Sequence, residues 1–188
     1  MGGADKALMP LSGRPLIAYA IERLEPQVAA VAVSANGDAA RFAAFEVPVL
    51  PDTVPGSCGP LAGILAGLDW AAQEGAQALV SVAVDTPFFP CDLVPRLLLA
   101  AGADGTGGAA VAASGGRVHP VFGLWPVALR GRLRSVLAQG TRRVEEWVGL
   151  AGAGRAVAQF PVAGVDPFFN INTAADLAAA QRMQERRQ

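Results

Sequence analysis

The stretch Leu79-Val80-Ser81-Val82-Ala83-Val84 is an apolar, Val-rich run that stops abruptly at Asp85-Thr86-Pro87. Such a run, closed by a turn, reads as a central parallel strand covered on both faces. A carboxylate at the carboxyl end of that strand stands where open α/β sheets bind their ligands. Asp85 is therefore a candidate site residue. The competing reading at this level is an Asp that merely caps the following turn.

A chain of 188 residues, 52% hydrophobic and 16% charged, suits one domain with a substantial core and does not fit a disordered segment. No uninterrupted apolar run reaches the roughly 20 residues of a membrane helix. A formal net charge of −1 offers little attraction for a phosphate backbone. Neither membrane nor nucleic acid is thus an expected partner, and the basic cluster from Arg182 to Arg187 reads as a solvated helix end. Cys58 and Cys91 have no CxxC or metal-ligand spacing, in keeping with a reducing cytoplasm, the expected location.

The chain begins with a Gly-rich loop, Gly2-Gly3-Ala4-Asp5-Lys6. Loops of this type cradle phosphates because glycine lets backbone N–H groups approach an anion. Pro15 then opens a helix whose Leu16, Ile17, Ala20, Ile21 and Leu24 recur at helical spacing, and Pro26 ends it. Residues 28–34 read as a buried strand that delivers Asn36, residues 38–45 as a short helix, and residues 47–50 as a strand ending at Asp52. After a Pro/Gly loop, Gly59-Pro60-Leu61-Ala62-Gly63 opens a helix with an unobstructed N-terminus, suited either to a ligand or to close helix packing.

Beyond Asp85, Asp92 is the expected cap of a helix through Leu93, Leu97 and Leu98. Residues 108–113 and 117–125 form a predicted hairpin around Ser114-Gly115-Gly116. Helical segments over 127–139 and 142–148 precede a short strand near 156–160, and residues 100–108 read as surface loop. Phe169-Asn170-Ile171-Asn172 leads into a last helix, where Thr173 and Asp176 have capping-box spacing. Strand and helix alternate first and a hairpin follows, which predicts an α/β fold: a Rossmann-like, doubly wound, mostly parallel sheet with helices on both faces and a β-hairpin insertion.

These pieces resemble the molybdenum cofactor guanylyltransferases, MobA-like nucleotidyltransferases that join GMP to molybdopterin and share the fold of the nucleotide-diphospho-sugar transferases. The resemblance is carried by Gly2-Gly3-Ala4-Asp5-Lys6-Ala7-Leu8 with Gly13-Arg14-Pro15-Leu16, by Ser34-Ala35-Asn36 and Asp52, and by Gly59-Pro60-Leu61-Ala62-Gly63. Asp85-Thr86-Pro87, His119-Pro120-Val121-Phe122 and Phe169-Asn170-Ile171-Asn172-Thr173 follow in that family's order. It implies that Lys6 and Asp85 are catalytic and that Asp85 holds Mg²⁺. Gly2, Gly3, Lys6, Asn36, Asp52, Gly59, Pro60 and Asp85 would bind GTP, while His119, Asn170 and Asn172 would lie on the pterin side. It also implies a single domain over 1–188, with a nucleotide-binding half over about 1–100 and a pterin-side half over about 101–188.

The implied partners are GTP and molybdopterin as substrates, with transient contact to molybdoenzymes or their chaperones. A cytidylyltransferase acting on the same pterin and a non-catalytic pterin-binding homologue remain alternatives at this level. The family has Pro-Cys-Asp where this chain has Ala83-Val84-Asp85, which retains the carboxylate. It also carries a first strand and a Leu-Ala-Gly-Gly half-loop ahead of the Met-Gly pair. The expectation is therefore that Met1 is an internal methionine of a longer polypeptide.

Overall fold

The structure, a computed structural model, describes residues 5–54, 59–102, 107–151 and 156–185. Within them, the apolar spacing of the first helical segment produces α1 (Leu16–Leu24), which buries Leu16, Ile17, Ala20, Ile21 and Leu24 on one side. Ahead of it, β1 (Pro10–Leu11) and β2 (Arg14–Pro15) form a small antiparallel ladder around Ser12 and Gly13. A 3-10 turn over Glu25–Gln27, with Pro26 inside it, ends the helix. The next strands are short: β3 (Val33–Ser34) pairs in parallel with β4 (Val49–Leu50), and between them a 3-10 helix, Ala39–Phe45, is capped by Asp38.

Pro60 at its first position and Gly59 before it start α2 (Pro60–Gln73). Gly59 has φ +113°, a conformation glycine adopts without a steric penalty. The main sheet has the order β5-β7-β6-β8, built from β5 (Ala78–Ser81), β6 (Ala110–Ser114), β7 (Arg117–Pro126) and β8 (Val157–Phe160). β7 runs antiparallel to both neighbours, and β6 runs parallel to β8. Gly115 and Gly116, at φ 54° and 77°, make the two-residue hairpin turn that the sequence predicts. The remaining helices are α3 (Leu93–Gly102), α4 (Arg130–Ala138), α5 (Val144–Leu150) and α6 (Ala174–Glu185).

Both faces of the main sheet are covered. On one side Leu93 and Leu97 of α3 pack with Phe122, Phe160 and Phe168, together with Leu24 of α1. On the other, Leu61, Leu65 and Leu68 of α2 meet Trp125, Leu133 and Trp147. Leu65 and Leu68 are fully buried, and each contributes roughly 1.5–3 kcal/mol through removal from water. The helices on both faces and the hairpin follow the expected α/β architecture, with a sheet that mixes parallel and antiparallel pairs. Among the described residues no helix is long and apolar enough to cross a membrane.

Four local expectations are corrected. The strand expected over 28–34 is confined to Val33 and Ser34, because only those residues lie opposite β4. The strand expected over 79–84 ends at Ser81, where its ladder with β7 ends at Gly123, and its residues are half-buried at an edge of the four-stranded sheet. Asp85 therefore sits in a turn beyond the strand. Asp92 does not cap α3 with its side chain: its carboxylate accepts from Arg96 Nε at 2.6 Å, and Val94 N donates to Gln27 Oε1 at 2.9 Å. Helix α3 also runs through Gly102, into the stretch expected to be loop.

Between β3 and the segment that follows β5 lies an apolar cavity of about 270 Å³, bordered by Ile17, Ile21, Val31, Val33, Val82 and Val84. Asp5 stands at its polar margin.

Candidate active site

Asp5 and Lys6 owe their placement to a single 3-10 turn. The Asp5 carboxylate accepts from Ala7 N at 3.0 Å and so caps the turn Lys6–Leu8. Lys6 then projects towards the turn that follows β5, where its Nζ lies 3.3 Å from Asp85 Oδ2 and donates to Asn172 Oδ1 at 2.8 Å. Asp85 is less exposed (18% of its side chain) than Lys6 (40%), so the cation is the more accessible partner. The main chain of Asp85 is held as well, since Ile171 N donates to its carbonyl at 2.8 Å. Lys6, Asp85 and Asn172 thus converge from the beginning, middle and end of the chain.

Asn36 and Asp52 form a second pair. Asn36 Nδ2 donates to Asp52 Oδ2 at 2.8 Å, and Asp52 N donates to Asn36 Oδ1 at 2.9 Å. Each side chain fixes the other at the carboxyl ends of β3 and β4. Arg41 links this pair to the Lys6 turn: its Nε donates to Asp5 Oδ2 at 2.8 Å, its Nη2 to the Asn36 carbonyl at 2.7 Å, and its Nη1 to the Asp38 carbonyl.

Gly59 and Pro60 are exposed at the N-terminus of α2. Gly63, one turn on, has a packing role: a Cβ there would stand 2.6 Å from Ser34 Oγ, so its absence lets the helix approach β3. Gly2, Gly3 and Cys58 lie outside the described residues.

His119 is buried, 8% exposed, and stacks on Phe168 with ring centroids 4.4 Å apart. The register of β6 on β7 shifts between Val111 and Ala112, so that Gly123 and His119 oppose adjacent residues and Pro120, Val121 and Phe122 fall in the irregularity. Proline has no N–H to give to a ladder, and a bulge is where a strand tolerates it. Burial pushes the His119 imidazole pKa below its ordinary value; Asp166 opposes this and Arg117 adds to it.

Asn170 and Asn172 are exposed on the loop that Phe168 anchors. Asp176 completes the capping box: Thr173 N donates to its carboxylate at 2.8 Å, and Asp176 N donates to Thr173 Oγ1 at 3.1 Å. Hydrogen bonds from Thr173 and Asn172 hold the Asp176 carboxyl below the usual carboxylate range.

Asp5, Arg41, Ser114 and Asp166 were not singled out by sequence reasoning. Asp5 adjoins Lys6, and Asp166 precedes Pro167, a turn signal; nothing local marks Arg41 or Ser114.

Among the described residues no group of three or more His, Cys, Asp or Glu converges as a metal cage. The donor set at Asp85, one carboxylate beside a lysine and an amide, suits Mg²⁺, which keeps most of its shell for water and substrate phosphates and takes one or two carboxylates from protein. The arrangement sets a positive Lys6 beside a single carboxylate, a combination that suits the handling of phosphates.

Known proteins resemble this chain along nearly its whole length. Residues 1–156 match the MobA-like NTP transferase domain. A molybdenum cofactor guanylyltransferase of Bradyrhizobium sp. (strain ORS 278) is 52% identical over 186 residues, covering 97% of this chain and 86% of the relative. One of Cereibacter sphaeroides is 53% identical over 183 residues, covering 97% and 90%. Among solved structures, a molybdopterin-guanine dinucleotide biosynthesis protein A from Archaeoglobus fulgidus superposes with TM-score 0.74 at 22% identity, covering 98% of this chain and 92% of its own. A 2-C-methyl-D-erythritol 4-phosphate cytidylyltransferase from Thermus thermophilus shares the fold with TM-score 0.65 at 22% identity, covering 96% and 94%. By the extent of the domain match and the identity of its relatives, the chain belongs to the MobA-like NTP transferase family.

Proposed function

We propose that this protein transfers GMP from GTP to the terminal phosphate of molybdopterin. A phosphate oxygen of molybdopterin attacks the α-phosphorus of GTP, the bond from that phosphorus to the bridging oxygen breaks, and pyrophosphate leaves. The observation that carries the reading is the convergence of Lys6, Asp85 and Asn172, in a chain whose relatives at about half identity are named molybdenum cofactor guanylyltransferases.

Lys6 neutralises the triphosphate, exchanging its contact with Asp85 for phosphate oxygens. Asp85 holds Mg²⁺, which when bound supplies further charge neutralisation on those oxygens. Nucleotidyl transfer asks little covalent work of a protein, so positioned charge does most of what is required. Asn36 and Asp52, already locked to each other, present a fixed polar edge to the guanosine. The exposed Gly59-Pro60 start of α2 turns the positive end of that helix's dipole to the nucleotide in the same role. Gly2 and Gly3 are assigned to GTP binding, and His119, Asn170 and Asn172 to the pterin side.

Pyrophosphate release, measured with GTP or CTP in the presence of molybdopterin and Mg²⁺, tests the reading. Release with GTP that is lost on chelation of the metal is expected. Preference for CTP would overturn the choice of base, and no release with either nucleotide would overturn the reaction.

A further inference from the structure

Behind the loop that carries Asn172, three side chains are joined by short hydrogen bonds. Ser114 Oγ lies 2.6 Å from Asp166 Oδ1 and 2.7 Å from His119 Nε2, and Ser114 is fully buried. A serine has one hydrogen, and a carboxylate only accepts. The Ser114 hydroxyl therefore donates to Asp166, and its oxygen accepts from His119 Nε2–H. His119 is thereby fixed in one tautomer, with Nε2 engaged as a donor and unable to serve as a base.

The same carboxylate organises the loop. Asp166 Oδ1 also accepts from Phe168 N at 2.9 Å, and Phe169 N donates to the Asp166 carbonyl at 3.1 Å. The Phe168 ring is held between His119, at 4.4 Å, and the edges of Phe122 and Phe160, at 4.9 and 5.3 Å. Only Phe169, Asn170 and Ile171 separate this anchor from Asn172. At the far end, Ile171 N is bound to the Asp85 carbonyl and Asn172 Oδ1 to Lys6 Nζ. A loop so short between two anchors transmits a shift of one to the other.

We propose that Asp166, Ser114 and His119 are positioning residues that hold the 166–172 loop so that Asn172 lies against Lys6 and Asp85. The three act on the reaction through Asn172, and none exchanges a proton with substrate. The effect on turnover rests on the guanylyltransferase reading, whereas the effect on the loop does not.

His119 is the only histidine, so one imidazole signal reports the network directly. Nitrogen-15 NMR of the full chain is expected to show the Nε2–H tautomer, and an Nδ1–H tautomer would overturn the assignment. In Asp166→Ala, amide exchange at Ile171 is expected to accelerate at least about tenfold as the loop opens locally. In Asp166→Asn, whose amide oxygen can still accept from Ser114 and Phe168, protection should return to near that of the wild type. Unchanged Ile171 protection in Asp166→Ala would overturn the proposal, even if the protein transferred no nucleotide.

With the transfer assay, kcat in Asp166→Ala is expected to fall roughly 10- to 100-fold, with KM for GTP little changed, as misplacement of the Lys6 ammonium that Asn172 holds demands. In an Asn172→Ala background the same substitution should cost less than about threefold more, because residues acting as one unit are not additive. Full additivity would overturn action through Asn172. Ser114→Ala provides a second, smaller perturbation of the same network, expected to move the His119 signal and kcat together; wild-type kcat with an altered signal would likewise overturn it.

Discussion

Replacing Lys6 with Met keeps most of the aliphatic stem and removes the charge, which separates what the lysine does for the fold from what it does for substrate. In the free protein its partner is Asp85 at 3.3 Å. Two unit charges at that distance attract by about 1.3 kcal/mol in bulk water and about 5 kcal/mol at an effective dielectric of 20. The Lys6 side chain is 40% exposed. Solvent screening and the entropy of ordering a long side chain reduce the net contribution of such a pair to about 0–1 kcal/mol. For a chain of this length a loss of that size lowers Tm by no more than about 4 °C. On the proposed assignment, the same ammonium faces developing phosphate charge during transfer in a preorganised setting, where loss of one donor costs about 10²- to 10³-fold, or roughly 2.7–4 kcal/mol. Steady-state pyrophosphate release and a thermal melt on the same preparation compare the two quantities. A Lys6→Met protein with kcat/KM within about threefold of wild type, a barrier change well under 1 kcal/mol, would refute the assignment of Lys6 to the phosphates.

Asn36→Ala breaks the reciprocal bond with Asp52 and is expected to raise KM for GTP about tenfold with kcat little altered, since the pair is assigned to uniform binding of the nucleoside. Gly123→Ala should lower the urea midpoint by the equivalent of about 1–3 kcal/mol, because the added methyl would stand 2.8 Å from Trp125 Cε2 and 3.2 Å from the Ala110 carbonyl in a packed interior. Stability should also depend on pH through His119. Its folded pKa lies below the ordinary 6.5, so between the two values the unfolded chain binds more protons and stability rises with pH. The contribution is fully present above 6.5 and is lost as pH falls through 6.5 towards the folded value; chemical denaturation of His119→Gln, lacking that titration, should show a flatter profile over the same window.

What could be read from the sequence was local. The hairpin at Gly115-Gly116, the Pro60 start of α2 and the capping box of Thr173 and Asp176 depend on residues a few positions apart, and each forms as its residue types dictate. Strand lengths depend on what lies alongside. Residues 28–32 are apolar enough for a strand but have no ladder partner among the described residues, and the run after Ser81 outlasts its ladder with β7. The candidate site divides in the same way. Asp85, Asn36 and Asp52 follow apolar runs and are visible from one dimension. Arg41 meets Asp5 across 36 positions, and Ser114 meets Asp166 across 52, and no spacing rule reaches so far.

The junction at Lys6 has a kinetic consequence. Lys6 contacts Asp85 across 79 positions and Asn172 across 166, nearly the full length of the chain. Closing loops of that size costs entropy before any contact rewards it, so such contacts form late in folding. The helices and the Gly115-Gly116 hairpin can assemble from neighbours while the junction waits for both extremities. On the proposed assignment of this junction to the phosphates, a chain still emerging from the ribosome, with Asn172 not yet made, would have only part of the site, and nucleotide binding would report that the junction has closed.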